Sequence, residues 1–411
     1  MGSCTINRTP LRRIRATVRV SEFHMLIGVS MALFVATQTI QPIFPLYLVQ
    51  TGVSTLELGA IVSIMSFTAM LAKVPLSILL RRIGKWSIVP VALLGQSLCL
   101  LLYSIASNAA SFYPIRILHA VTITAFAPTA IAITSDMAPP GKRGDRIGKF
   151  LTSFGAATML GPFFCSFLLG YLGYVQIFRI TSVFPLLGLA AFLLVNHRVS
   201  YVSEDIEAEE DPSPFSSLRD ILASRNVLAL SFLRLSFSFA NAIFTTLFAV
   251  YASKNLLMAS SAIAILIGVK GVTNMLFRFP SGRLSDRIGY RIPLVLSYSI
   301  LVVTYLMISE STDFIMLSIA MTVYGLAHAM RAVTEWSLLG ESINRDTSTV
   351  ASAFLSTMFN IGGAIGAIVA GLLSLSLPIH SVFKIASVIV LPSILVPFLT
   401  RRNPPTETDS P

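Results

Sequence analysis

The sequence predicts an all-α integral membrane protein: twelve transmembrane helices in two six-helix halves related by a parallel internal repeat. Three observations predict it. Of 411 residues, 54% are hydrophobic and only 12% charged; the apolar residues fall in long runs; and the chain repeats itself at an offset of 205 residues. A mean hydropathy of +0.78 means more apolar surface than a soluble core buries. A helical span takes roughly 20 residues, so about a dozen spans with short connections use up the chain. That excludes a large soluble domain and an ordinary cytosolic enzyme, and it places function within the membrane.

Long apolar runs broken by Gly, Pro and charge put spans 1 to 12 near 25–48, 56–80, 87–107, 112–136, 148–170, 175–196, 226–250, 257–281, 292–309, 314–339, 349–375 and 379–399. The first run is too long for a signal-peptide core and lacks a small-residue cleavage site, so it is read as a retained span. An even number of spans puts both termini on one side. The N-tail carries Arg8, Arg12, Arg13, Arg15 and Arg19, and the loops on the same side carry further clusters such as Arg81, Arg82, Lys85 and Lys142, Arg143, Arg146, Lys149. The opposite loops hold only Lys254 and Lys384. Cytoplasmic loops retain Lys and Arg, so both termini are predicted cytoplasmic in a plasma membrane. The net charge of +11 is then an orientation signal, and nucleic acid drops out as a partner. Cys4, Cys99 and Cys165 have no metal-ligand spacing, and no cofactor or metal is expected.

At the offset of 205, Met70, Leu71, Lys73 and Pro75 fall on Met275, Leu276, Arg278 and Pro280. Leu79, Arg82, Ile83 and Gly84 meet Leu284, Arg287, Ile288 and Gly289, Asp136 meets Glu341, Gly161 meets Gly366, and Tyr47 lies within one residue of Tyr251. Six spans separate equivalent points, so the halves share one orientation, as in parallel-repeat transporters. The predicted organisation is a basic tail at 1–24, a half at 25–197, an acidic linker at 198–225, a second half at 226–400 and a tail at 401–411.

Here the chain resembles the major facilitator superfamily over essentially its whole length. Gly282-Arg283-Leu284-Ser285-Asp286-Arg287-Ile288-Gly289-Tyr290-Arg291, between spans 8 and 9, follows the family's signature loop. The first-half copy keeps the frame through Arg82, Gly84 and Lys85 but has Ser77 and Arg81 where the loop has Gly and Asp. Gln41-Pro42-Ile43-Phe44-Pro45 on span 1 is similar to the ending seen in drug-efflux members, and Gly161-Pro162 on span 5 to the core of the antiporter motif. The resemblance implies a drug/proton antiporter in which spans 1, 4, 7 and 10 line a central cavity. Asp286, with Arg287 and Arg291, and the matching Asp136 and Glu341 are expected to latch the halves on the cytoplasmic side. The alternative is simple helix capping.

Charges at membrane depth are costly and face a cavity or a partner. Span 10 carries Tyr324, His328, Arg331 and Glu335 at steps of four, three and four, which is one helical face. Span 7 does the same with Ser231, Arg234, Ser238, Asn241 and Thr245. Gln38 and Gln41 on span 1, Arg116 and His119 on span 4, and Lys270, Asn274 and Arg278 on span 8 complete the candidate cavity. Arg331 and Glu335, one turn apart, either neutralise each other or couple transport to an ion. Lys73 and Arg278 are read as snorkelling toward the cytoplasmic ends.

These features predict a secondary transporter that works by alternating access, with a small-molecule substrate, a proton or sodium as coupling ion, the bilayer as its other partner, and a monomeric state. The resemblance implies proton-coupled efflux. The excess of basic over acidic groups in the spans favours an organic anion, taken up or exported. A non-transporting receptor-like role is the third reading. The sequence has no His-Glu-x-x-His pair and no phosphate loop, so neither an intramembrane enzyme nor an ATP-driven pump is expected.

Overall fold

The computed structural model describes residues 9–139, 142–196, 224–342 and 348–400. The predicted acidic linker lies outside the described residues apart from 224–225. Among the described residues the chain is helical without strands, and 12 helices are long and apolar enough to cross a membrane. They run Glu22–Ile40, Thr55–Leu79, Lys85–Tyr103, Ala109–Asp136, Gly144–Leu169 and Tyr174–Leu194 in the first half. In the second they are Arg225–Lys254, Ser260–Ile288, Arg291–Glu310, Phe314–Leu339, Val350–Ser376 and Ile379–Leu399. Their lipid-facing surface is apolar, with side chains such as Val74, Phe167 and Leu194 exposed.

Local chemistry sets the ends. Pro42 and Pro45 interrupt span 1 after Ile40, and a short helix, Phe44–Gln50, carries it on. Span 2 opens on a capping box: Ser54 N–H donates to Glu57 Oε2 (2.9 Å), and Glu57 N–H to Ser54 Oγ (3.2 Å). Asn108 caps span 4 and Asp313 caps span 10 through their side-chain oxygens.

The repeat is visible in three dimensions. Tyr47 Oη donates to Ala106 O at 3.0 Å in the first half, and Tyr251 Oη to Ser311 O at 3.0 Å in the second. Gly84 and Gly289, the paired loop glycines, have φ of 78° and 76°, a conformation that costs other residues strain. Gly161 packs against the backbone of span 1 at Thr39, and its partner Gly366 against span 7 at Phe239.

The halves meet through span 2 against span 11 and span 5 against span 8. Small residues allow the approach: a side chain on Gly59 would collide with Ala367 O, and one on Gly271 with Thr158 O. On the side away from the termini, apolar packing fuses the halves, with Val250 and Ala264 joining the first-half cluster around Tyr47 and Phe112. Tyr174 Oη also meets Ser260 Oγ there at 2.6 Å. Nearer the termini the first half keeps a separate core, with Phe34, Leu93, Phe126 and Phe150 and no second-half residue among its described members.

Gly59→Val places two methyl groups where the backbone of span 11 runs. It should lower stability by about 1–3 kcal/mol, read as unfolding midpoint in detergent, whereas Gly28→Ala, where a Cβ meets nothing within 4 Å, should not.

Candidate functional site

Span 10 presents its polar face to spans 7, 8 and 9. Near its end closest to the termini lies Glu335, with a side chain 2% exposed. Arg331 Nη1 donates to its Oε1 at 2.7 Å, Arg234 Nε of span 7 lies 3.3 Å from its Oε2, and Tyr298 Oη of span 9 donates to Oε1 at 2.8 Å. The expected Arg331–Glu335 pair therefore belongs to a larger cluster, two guanidiniums and a phenol around one carboxylate. Aromatic faces seat both arginines: Arg331 Cζ is 3.5 Å from the centre of the Phe237 ring, and Arg234 Cζ 4.7 Å from that of Trp336. Arg331 Nε is buried with no hydrogen-bond partner, as are Arg234 Nε and Asn274 Nδ2.

Two turns along span 10 away from Arg331, Tyr324 Oη donates to Asn241 Oδ1 of span 7 at 2.8 Å and lies 3.0 Å from Tyr305 Oη of span 9. Lys270 Nζ of span 8 sits 4.5 and 4.6 Å from the ring centres of Phe244 and Tyr324, and among the described residues it has no ion pair. His328 lies between Phe237 and Tyr324 and faces the positive charges of Arg331, Lys270 and Arg278. Arg278 Nε donates to Asn274 Oδ1 at 3.1 Å. Lys73 of span 2 reaches across the half interface and donates to Ser356 Oγ at 2.7 Å. The structure thus brings together the candidates on spans 7, 8 and 10.

The first-half candidates form a separate network. His119 is buried, its Nε2 3.1 Å from Gln96 Nε2 and its Nδ1 3.1 Å from Tyr103 Oη. Gln96 Nε2 also donates to Thr37 Oγ1, and Thr122 Oγ1 to Gln96 Oε1. This ties spans 1, 3 and 4 together much as Asn241, Tyr305 and Tyr324 tie spans 7, 9 and 10. Arg116 Cζ stands 3.9 Å over the Phe44 ring, with its Nε buried and unpartnered. Gln38 is half-buried opposite Gly161, next to Pro162 in span 5, and Gln41 is exposed. A depression of about 420 Å³, lined by Leu46, Tyr174, Val250 and Lys254 among others, opens on the side away from the termini and includes none of the candidates.

At the loops, Lys85 Nζ pairs with Asp136 Oδ2 at 2.6 Å, so the carboxylate's partner is Lys85 rather than the neighbouring Arg82. Asp286 and Arg287 are exposed and without an ion pair among the described residues; the expected loop is helical up to Ile288, with Gly282, Asp286 and Arg287 in the last turns of span 8 and Gly289 ending it, and Arg291 donates to Thr400 O. The Glu341 side chain lies outside the described residues.

Sequence reasoning missed Tyr298 and Tyr305 on span 9, and Gln96 and Tyr103 on span 3. The available signal was that a buried tyrosine hydroxyl needs a partner, and that Tyr298 and Tyr305, seven residues apart, share a helix face.

The internal repeat separates what the fold needs from what was added. At the offset of 205, Glu335, Arg331 and Tyr298 fall on Ala130, Phe126 and Leu93, all in the first-half apolar core. At 204, which aligns the two packing tyrosines, Arg234 falls on Ser30.

The sequence profile of the Major Facilitator Superfamily matches residues 26–269 and 230–411. The chain belongs to the Major Facilitator Superfamily. It is 24% identical over 394 residues, 92% of its length and 94% of the relative's, to the multi-drug resistance efflux pump PmrA of Streptococcus pneumoniae. It is 24% identical over 387 residues, 92% of each, to the multidrug resistance protein MdtG of Klebsiella pneumoniae. A solved bacterial homologue of the human lysosomal transporter Spinster, in an inward-facing and unoccupied conformation, superimposes with a TM-score of 0.79 at 13% identity over 95% of this chain and 99% of that one. This superfamily member is therefore a multi-pass membrane transporter.

The charge arithmetic of the cluster ranks two substitutions. Arg331→Met leaves one cation facing one carboxylate, whereas Glu335→Met leaves two buried guanidiniums with no counter-charge. Unfolding in detergent should show Glu335→Met as the more destabilising, by about 1–3 kcal/mol.

Proposed function

We propose that the chain is a secondary carrier that works by alternating access and exports an organic small molecule in exchange for protons, with both termini in the cytoplasm. The observation that carries this reading is Glu335, the one fully buried carboxylate among the described residues, paired with Arg234 of span 7 and with Arg331 of its own span 10 and hydrogen-bonded to Tyr298 of span 9. Protonation removes the charge that holds Arg234 of span 7 and Arg331 of the same helix, so it loosens one cross-helix tie and one i, i+4 pair in one step. A local proton event thereby alters how spans 7 and 10 are tied within the second half, the unit that rocks against the first. The likeness to PmrA, an efflux pump, supplies the direction. Proton is favoured over sodium because a sodium ion needs several oxygen ligands, and Glu335 offers one carboxylate between two guanidiniums. The buried rings of Phe237, Phe244 and Tyr324 beside these groups suit a lipophilic body.

The test uses inside-out vesicles energised to an acidic interior. Addition of cationic or neutral lipophiles should cause protein-dependent alkalinisation with the wild type, and Glu335→Gln should lose the response by at least about tenfold. An undiminished response from Glu335→Gln would remove that residue from coupling.

A second reading, an organic-anion carrier, is favoured by one specific observation. Arg234 and Arg331 share one carboxylate, Lys270 and Arg278 add two further cations around His328, and Lys270 has aromatic rings but no acid beside it among the described residues. In that reading Lys270 seats the acidic group, and Lys270→Gln should lower transport of an aromatic carboxylate by about tenfold. Unchanged transport would exclude Lys270 as its anchor.

A further inference from the structure

Tyr298 has one hydroxyl proton and two acceptors within reach. Its Oη is 2.8 Å from Glu335 Oε1 and 2.9 Å from the backbone carbonyl oxygen of Leu233 on span 7, the residue next to Arg234. The ring is fully buried. A single O–H serves one of these acceptors at a time.

The two choices correspond to the two protonation states of Glu335. When the carboxylate is ionised it accepts from Arg331 and from the Tyr298 hydroxyl, with Arg234 alongside. When Oε1 carries the proton, it donates to Tyr298 Oη, and the phenol turns its own proton to Leu233 O. Both acceptors already lie within hydrogen-bond distance, so the swap needs only a rotation of the hydroxyl.

We infer that Tyr298 is a positioning residue that reads the protonation state of Glu335 and transmits it to the backbone of span 7 beside Arg234. This rests on the reading of Glu335 as the coupling carboxylate. Span 9 is not among the cavity-lining spans, so the inference adds a residue to the machinery rather than reassigning one. The repeat supports a role beyond packing, because Leu93 occupies the equivalent position of the first half and is equally buried there. The groups facing Glu335 are Arg331 on its own helix, Arg234 from span 7 and Tyr298 from span 9, and from span 8 Arg278 adds its charge near Arg331. Among the described residues none of these is a second acid, so one carboxylate accounts for the titration.

The experiment is an infrared pH titration of the purified full-length protein, which requires no known substrate. The carboxylic C=O band that disappears in Glu335→Gln belongs to Glu335. In Tyr298→Phe, which keeps the ring, Glu335 loses the hydroxyl that bonds both of its protonation states, so the midpoint of this band should shift by about one pH unit. The band should also change frequency, because the protonated carboxyl has lost its acceptor. In the wild type with isotope-labelled leucine carbonyls, a leucine amide band should titrate with the same midpoint, and Tyr298→Phe should abolish that response. If the wild type has no titrating band that depends on Glu335, the coupling reading itself falls. If the band is present but Tyr298→Phe leaves its midpoint and the leucine response unchanged, only the relay through Tyr298 falls.

Discussion

The structure depends on one constraint: an ionised group at membrane depth must be paired, or must face water, because the bilayer offers it nothing. Glu335 is where that constraint is met most completely. It satisfies two guanidiniums that would otherwise be buried cations, and its remaining acceptor capacity goes to the Tyr298 hydroxyl. Removing one partner of such a group costs more than the group contributes when intact. The cluster therefore fixes how spans 7, 9 and 10 sit together, and the aromatic seats of Arg234 and Arg331 are consequences of it. Lys270 and Arg116 meet the same constraint differently, resting on ring faces without a carboxylate.

The two halves form an internal control. They share the tyrosine-to-loop bond, the loop glycine with positive φ and the glycine that lets spans 5 and 11 approach spans 1 and 7. Those features are what the fold requires, since each appears twice. The charged cluster appears once, and Ala130, Phe126 and Leu93 show that the same architecture packs with hydrocarbon in its place. A buried ion pair is weak evidence for stability where an apolar alternative exists. Here that alternative is present in the same molecule, which points to a role other than stability. The hydrogen-bonded triads of His119 with Gln96 and Thr37, and of Tyr324 with Tyr305 and Asn241, are intermediate: His119 matches Tyr324 at the offset of 205 and Thr37 matches Asn241 at 204, while Gln96 lies one turn from Leu100, the equivalent of Tyr305.

The fold was readable because the bilayer leaves few choices: long apolar runs become helices, and their ends fall at Gly, Pro and charge. The main departures are at span 1, which breaks after Ile40, and span 8, which runs on to Ile288, with a smaller extension of span 7 to Lys254. The site was partly readable. Periodicity put Tyr324, His328, Arg331 and Glu335 on one face, and Arg234 and Asn241 on another, but a period within one helix says nothing of which neighbour it meets. Tyr298 was invisible for that reason. It looks like one aromatic residue in an apolar run until span 9 is laid against span 10. His119 and Arg116 join the second-half groups in the sequence because the family resemblance makes spans 1, 4, 7 and 10 line one cavity, and the structure gives them partners of their own.

Substrate charge and proton direction are one question in this carrier. A proton on Glu335 removes the only negative charge of its cluster. Two unit charges roughly 8 Å apart at an effective dielectric near 20 interact by about 2 kcal/mol, or about thirty-fold in affinity. A cationic substrate loses that attraction when Glu335 is protonated, so proton and substrate exclude one another, which is the linkage an exchanger needs. An acidic substrate gains by the same amount, so proton and substrate favour one another, which is the linkage of cotransport. The excess of basic groups around Lys270 and Arg331 and the likeness to the efflux pump PmrA therefore pull toward opposite signs of coupling. A neutral lipophile held by Phe237, Phe244 and Tyr324 feels neither effect directly. In the proposed exchanger it would be coupled through the helix ties that Glu335 makes, which gives the contacts to spans 7 and 9 the same weight as the charge itself.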